Sequence, residues 1–136
     1  MTTIEKVYFL KGVELFSTLQ GQDVLDIALA AEEVEKVANE EIVREGELDE
    51  TLYVVVSGTV GVYRGNQMVA QLKEGEVFGE LALLDPAPRS ATVRSVTEST
   101  LLRVEREVFL DLVRANHEIA EGITRILARR LRAMMA

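Results

Sequence analysis

The sequence predicts a mainly β domain, an antiparallel roll or barrel held between helical ends, and three observations carry that reading. From residue 33 to about residue 105 the chain is rich in β-branched residues and broken by glycine at 46, 58, 65 and 75, the mark of short strands parted by turns. On either side of that region apolar residues return at intervals of three and four, as helices require. With 48% hydrophobic residues and only two prolines and nine glycines, the composition favours folded structure over disorder.

A length of 136 residues suits one domain with its own core and is too short for two. The predicted division is a helical segment over 1–32, a β-roll over 33–105 and C-terminal helices over 106–136, all within a single domain spanning 1–136. No stretch approaches the ~20 apolar residues of a membrane helix, and MTTIEKVYFL lacks a basic start followed by an apolar core. The chain is therefore expected to be soluble and cytoplasmic, with no membrane insertion. Absence of cysteine excludes disulfides and thiolate chemistry, and a single histidine, His117, leaves little metal chemistry. The net charge of -8 opposes binding to nucleic acid. Nine of the acids lie between Glu32 and Glu50, against only Lys36 and Arg44, which reads as a solvated edge or, alternatively, a docking site for a basic partner.

Ile4, Val7, Tyr8 and Val13 stand loosely at helical spacing, and a second helix starts at Gln22 or Asp23 with Val24, Ile27, Ala28 and Ala31 on one face. In the β region SGT and RGNQ are the expected hairpin turns, and SATVRSV and TLLRVER supply two later strands around Thr97 to Ser99. From Arg106 the helical period returns, with Val108, Phe109, Leu112 and Val113 on one face. A break follows at Ala115 to His117, where Asn116 is expected to cap a final helix from about Glu118 to the end.

One stretch carries the chemistry. Residues 78–93, FGELALLDPAPRSATV, place Glu80 and Arg89 among apolar residues, and an unpaired buried ion costs several kcal/mol or more. FGELALL follows a strand and is expected to turn helical directly after Gly79, leaving the amides of Leu81 and Ala82 free in a first turn that attracts an anion. Pro86 and Pro88 restrict the loop that delivers Arg89, whose planar fork suits two oxygens of one phosphate. Ser90 adds a hydroxyl. Glu80 accepts hydrogen bonds only, so it repels a bare phosphate and suits a neighbouring sugar hydroxyl. Between Phe78 and Arg94 two acids cancel two arginines, a balance that suits a monoanion better than a triphosphate. Cyclic nucleotides combine one such charge with one free ribose hydroxyl.

FGELALLDPAPRSATV resembles the phosphate-binding cassette of the cyclic-nucleotide-binding domain family, which includes the catabolite activator, kinase regulatory subunits and nucleotide-gated channels. The likeness runs along nearly the whole chain, through REGELDETLYVVVSGTVGVY and the closing LLRVEREVFLDLV. It implies an eight-stranded, jelly-roll-like antiparallel β-roll with N-terminal helices and two C-terminal helices. It further implies that Glu80 binds the ribose 2′-hydroxyl and Arg89 the cyclic phosphate, with the amides of Leu81 and Ala82, Ser90 and the Ala91 amide adding phosphate contacts. Gly79 is expected to leave space beside the ribose. The competing reading pairs Glu80 with Arg89 in a fold that has lost its ligand.

On the final helix Ile119, Ile123, Ile126, Leu127, Leu131 and Met134 fall on one face and Arg125, Arg129 and Arg132 on the other. Arg130 breaks the pattern at the centre of the apolar face. Either its head snorkels to water, or it serves as a lid whose guanidinium stacks on the base and lets the helix report occupancy. The ligand is expected to be cAMP or cGMP, with the lean to cAMP; Leu72, Ala91 and Val93 are expected to wall its base.

No cofactor is expected beyond that ligand, and no catalysis: one histidine does not supply the metal cluster of a phosphodiesterase, and no nucleophile motif is present. A ligand-free docking or oligomerisation module is the alternative, since the apolar stripe of the last helix suits an effector domain, another protein or a second copy in a homodimer. No helix-turn-helix, kinase or channel sequence occurs in these residues, so they are expected to form a free-standing sensor or the regulatory end of a longer polypeptide.

Overall fold

The computed structural model describes residues 1–80 and 84–135. Its elements run in the order α1 (Thr3–Lys11), a 3-10 turn (Glu14–Phe16), α2 (Gly21–Ala30), β1 (Glu32–Lys36), β2 (Glu41–Val43), β3 (Thr51–Ser57), β4 (Val60–Arg64), β5 (Gln67–Leu72), β6 (Val77–Phe78), β7 (Thr92–Ser95), β8 (Ser99–Glu105), α3 (Arg106–Ala115) and α4 (His117–Met135). Among the described residues the eight strands form two four-stranded antiparallel sheets, ordered β1-β8-β3-β6 and β2-β7-β4-β5. This is the jelly-roll-like β-roll expected of the sequence.

The two sheets read differently because they are covered differently. One face of the first packs Leu52, Val54, Val77, Leu102 and Val104 on the helices, where Leu10, Phe16, Ile27, Phe109 and Ile119 are also buried. Its other face turns Tyr53, Val55, Phe78 and Leu101 into the roll. Residues 51 to 55 are consequently buried in succession, which is why the sequence shows an apolar run there instead of alternation. In the second sheet β7 alternates between half-buried and buried positions, as a strand with one wet face should.

Several local expectations change. RGNQ is a hairpin turn, since Arg64 pairs with Gln67. SGT is not: β3 pairs with β6 and β8 and never with β4, so Gly58 carries the chain from one sheet to the other. Its φ of 85° and the 2.4 Å approach of its missing Cβ to the Glu98 carbonyl explain the glycine by the crossing. Asn116 serves the end of α3 rather than the start of α4 by its side chain, because its amide donates to the Leu112 carbonyl at 3.1 Å. Helix α2 starts at Gly21, earlier than the Gln22 or Asp23 expected, and β1 begins at Glu32, while Val24, Ile27, Ala28 and Ala31 are buried as their spacing implied. Helix α1 buries Leu10 and leaves Ile4 and Tyr8 exposed; its start is fixed by a capping box between Thr2 and Glu5.

Candidate functional site

The chain between β6 and β7 faces a cavity of about 760 Å³ inside the roll, within the ~300–1,000 Å³ usual for small-molecule sites. Gly79, Glu80, Asp85, Arg89, Ser90 and Ala91 line it from that segment, Val43, Val62, Leu72 and Val93 from the second sheet, and Arg130, Ala133 and Met134 from α4. The sequence placed Gly79, Glu80, Arg89, Ser90, Ala91 and Arg130 at one site, and all six border this cavity, as do Leu72 and Val93. Leu81 and Ala82, whose amides are expected at the phosphate, lie outside the described residues.

Glu80 and Arg89 are the charged residues buried here, 1% and 8% exposed. They do not pair with each other. Arg89 Nη2 donates to the Thr51 carbonyl at 2.7 Å and lies 3.4 Å from Asp49 Oδ1. The backbone holds the same residue in place: the Arg89 amide donates to the Glu47 carbonyl at 2.8 Å, and the Gly46 amide donates to the Arg89 carbonyl at 2.9 Å. Asp49 also accepts from the Thr51 amide and hydroxyl. One carboxylate thus fixes both the arginine and the start of β3 that receives it.

Gly79 makes this arrangement geometrically possible. Its φ is 94°, and a Cβ there would stand 2.4 Å from the Thr51 carbonyl oxygen and 2.8 Å from Arg89 Nη1. The space the glycine leaves is filled by a strand backbone and a guanidinium, where the sequence reading had put the sugar.

Arg130 borders the cavity and is bonded to residues beside it. Its Nη1 donates to Glu80 Oε1 and its Nη2 to the Val77 carbonyl, with the side chain 36% exposed. These bonds tie α4 to the strand and the carboxylate that border the site. Arg129, assigned to the outer face, also has a partner: Nη1 bonds both oxygens of Glu14 at 2.7 and 2.8 Å. Positive charge at the end of α4 therefore has acidic partners as well as a favourable helix terminus.

Buried polar atoms without partners show where the site has capacity to spare. Among the described residues they are Glu80 Oε2, Arg89 Nε and Arg103 Nε. The last belongs to an arginine whose other nitrogens face Glu32 and Glu105; the first two belong to residues that border the cavity. An unpaired buried polar atom costs about 1–3 kcal/mol, so a spare acceptor and a spare donor on two residues that border one hollow suit a ligand that brings a hydroxyl and an anion. Sequence reasoning missed Asp49 and Thr51, because Asp49 is one acid in an acidic run and only its fold contact with Arg89 sets it apart. Part of that run is internally used: Glu41 pairs with Arg44 and Asp49 with Arg89. Also missed were Ala133 and Met134 of α4, and Arg64 of β4, which border the cavity.

Comparison with known proteins identifies the family of the fold. The family model for the cyclic nucleotide-binding domain matches residues 33–116. The chain is 38% identical over 129 residues to the cyclic AMP receptor protein of Thermus thermophilus, covering 90% of this chain and 59% of that one. It is 36% identical over 107 residues to the cAMP-dependent protein kinase regulatory subunit of Emericella nidulans, covering 77% and 26%. Among solved structures, the regulatory domain of Toxoplasma gondii PKA, crystallised with cAMP, superposes with a TM-score of 0.73 at 34% identity, covering 80% of this chain and 43% of that one. The chain thus spans between 26% and 59% of these relatives' lengths. With the roll, the cavity and the family match together, the chain belongs to the cyclic nucleotide-binding domain family.

Proposed function

We propose that this chain is a noncatalytic receptor for a cyclic nucleotide, cAMP ahead of cGMP, which holds the sugar and the cyclic phosphate between Glu80 and Arg89 and signals through α4. The observation that carries the reading is the pair of unpartnered buried atoms, Glu80 Oε2 and Arg89 Nε, on residues bordering one 760 Å³ cavity. In it Glu80 Oε2 accepts from the ribose 2′-hydroxyl, while Arg89, held from behind by Thr51 and Asp49, presents its remaining donors to the phosphate. Ser90, the Ala91 amide and the amides of Leu81 and Ala82 complete the phosphate's contacts. Preference for cAMP rests on the relatives, two of which carry cyclic AMP in their names.

Signalling follows from Arg130. Because α4 is bonded to Glu80 itself, occupancy changes the surroundings of a carboxylate that holds the helix, and the ligand biases the helix by its difference in affinity for the two positions. Ala133 and Met134 cover the cavity in the position described. Catalysis forms no part of this reading; conversion of cAMP to AMP by the purified chain would contradict it.

A thermal shift measurement with cAMP, cGMP and acyclic AMP tests the proposal. A ligand that binds the native state raises the melting temperature, so cAMP and cGMP are expected to raise it and AMP to leave it in place. Leu131, Met134 and Met135 are exposed at the end of α4 and favour the second reading, a docking module pairing with an effector domain or a second copy. No shift with either cyclic nucleotide would support that reading instead.

A further inference from the structure

We propose that Arg64, at the end of β4, reads the base and gives this site a contact that guanine satisfies better than adenine. The inference rests on the receptor reading above and names the residue that sets its base selectivity. Beyond the cassette the cavity is walled mainly by apolar side chains: Val43, Val62, Leu72, Ala133 and Met134 among them. Three polar residues outside the cassette and α4 also border it, namely Arg64, Gln71 and Glu76.

Two of these three are turned to other tasks. Gln71 stands directly across from Gly61, whose missing Cβ would meet the Tyr63 ring and Met68 Cε. Its amide accordingly donates to Met68 Sδ at 3.4 Å, and neither Tyr63 nor Met68 borders the cavity. Glu76 Oε1 accepts from the Lys73 amide and closes the turn before β6.

Arg64 differs on both counts. It lies two residues beyond Val62, which borders the cavity, so strand alternation brings it to the same face, and the register shift after Val62 adds its extra residue on β5 and leaves β4 regular. Of the three arginines bordering the cavity, Arg89 is bonded to Thr51 and Arg130 to Glu80 and Val77. The Arg64 side chain has no hydrogen bond or ion pair among the described residues.

A guanidinium only donates. Guanine presents two adjacent acceptors, O6 and N7, to such a fork, whereas adenine presents N7 beside an amino donor that opposes it. At its low end, a bidentate arginine–guanine pair discriminates by about fivefold, and Arg64 is exposed enough for the low end to apply. The site is thus equipped to take cGMP alongside cAMP, and inosine, which shares O6 and N7, should follow guanine.

Calorimetric titration of the wild-type chain and Arg64→Met with cAMP, cGMP and cIMP tests this, because methionine keeps an unbranched apolar stem and removes the donors. The expected result is a loss of about fivefold for cGMP and cIMP with cAMP changed by less than about twofold. Equal changes for all three ligands, no change for any, or a wild-type chain that binds cAMP but not cGMP would overturn the role of Arg64 and leave the receptor reading standing. Failure of the wild-type chain to bind any of the three would remove both.

Discussion

Strand β3 sends alternate residues into two apolar regions of different character. Leu52 and Val54 join Phe16, Ile27, Phe109 and Ile119 between the first sheet and the helices, each of these side chains no more than 1% exposed. Tyr53 and Val55 face the roll, whose apolar lining gives way to a cavity bordered by Glu80 and Arg89. The helix side gains by excluding water from matched hydrocarbon, at ~25 cal/mol per Å². The roll side keeps two buried charges, each held by one partner set and each with an atom left over. Stability and binding are therefore separable here, and substitutions on the two sides should fail in different assays.

The largest expected effect lies on the helix side. Phe109 is fully buried and meets Phe16 edge-on at 6.4 Å, so Phe109→Ala should lower unfolding free energy by about 3–5 kcal/mol in urea denaturation. Nucleotide affinity of the folded fraction should stay near wild type. Next comes Gly79→Ala on the cavity side, which combines a positive φ with overlap against the Thr51 carbonyl and Arg89. Roughly 2–5 kcal/mol of destabilisation follows, and here affinity should fall with stability because the displaced group is Arg89. An unchanged affinity in that variant would break the link drawn between the glycine and the arginine.

Legibility followed the same division. Helix-side positions such as Val24, Ile27 and Phe109 were readable because burial on one face imposes a period on the sequence, and the pairing of charges with glycine in residues 78–93 pointed to the site. What the sequence concealed are contacts between segments far apart in it. Asp49 is indistinguishable from its acidic neighbours until the fold brings it to Arg89. The bonds of Arg130 to Val77 and Glu80 join residues some fifty positions apart and show only in the fold. SGT has the residues of a hairpin turn, and only sheet topology reveals it as a crossing.

Smaller effects sharpen the contrast. If Glu80 Oε2 accepts from the ribose, 2′-deoxy-cAMP should bind wild-type protein about tenfold more weakly than cAMP, and in Glu80→Ala the two should differ little. A full difference persisting without the carboxylate would place the hydroxyl elsewhere. Arg129→Ala removes an exposed pair with Glu14 and should cost about 0.2–1 kcal/mol of stability, diminishing with salt. Smallest of all is the contribution of Glu5 to α1. The Thr2 amide, and then the Thr2 hydroxyl, hold its carboxyl below the usual carboxylate range. That contribution is present above the ordinary carboxylate pKa and disappears as pH falls through the lowered one; in Glu5→Gln the acid-side slope of stability should be slightly flatter.

The account rests on Arg89 as the fixed anion partner of a cyclic phosphate, and calorimetric titration of cAMP into the wild-type chain and Arg89→Ala addresses it most directly. Truncating one member of a buried charged contact costs about 2–5 kcal/mol, so affinity should drop by about a hundredfold or more in a protein that circular dichroism shows still folded. Equal affinity in the two proteins would contradict the assignment.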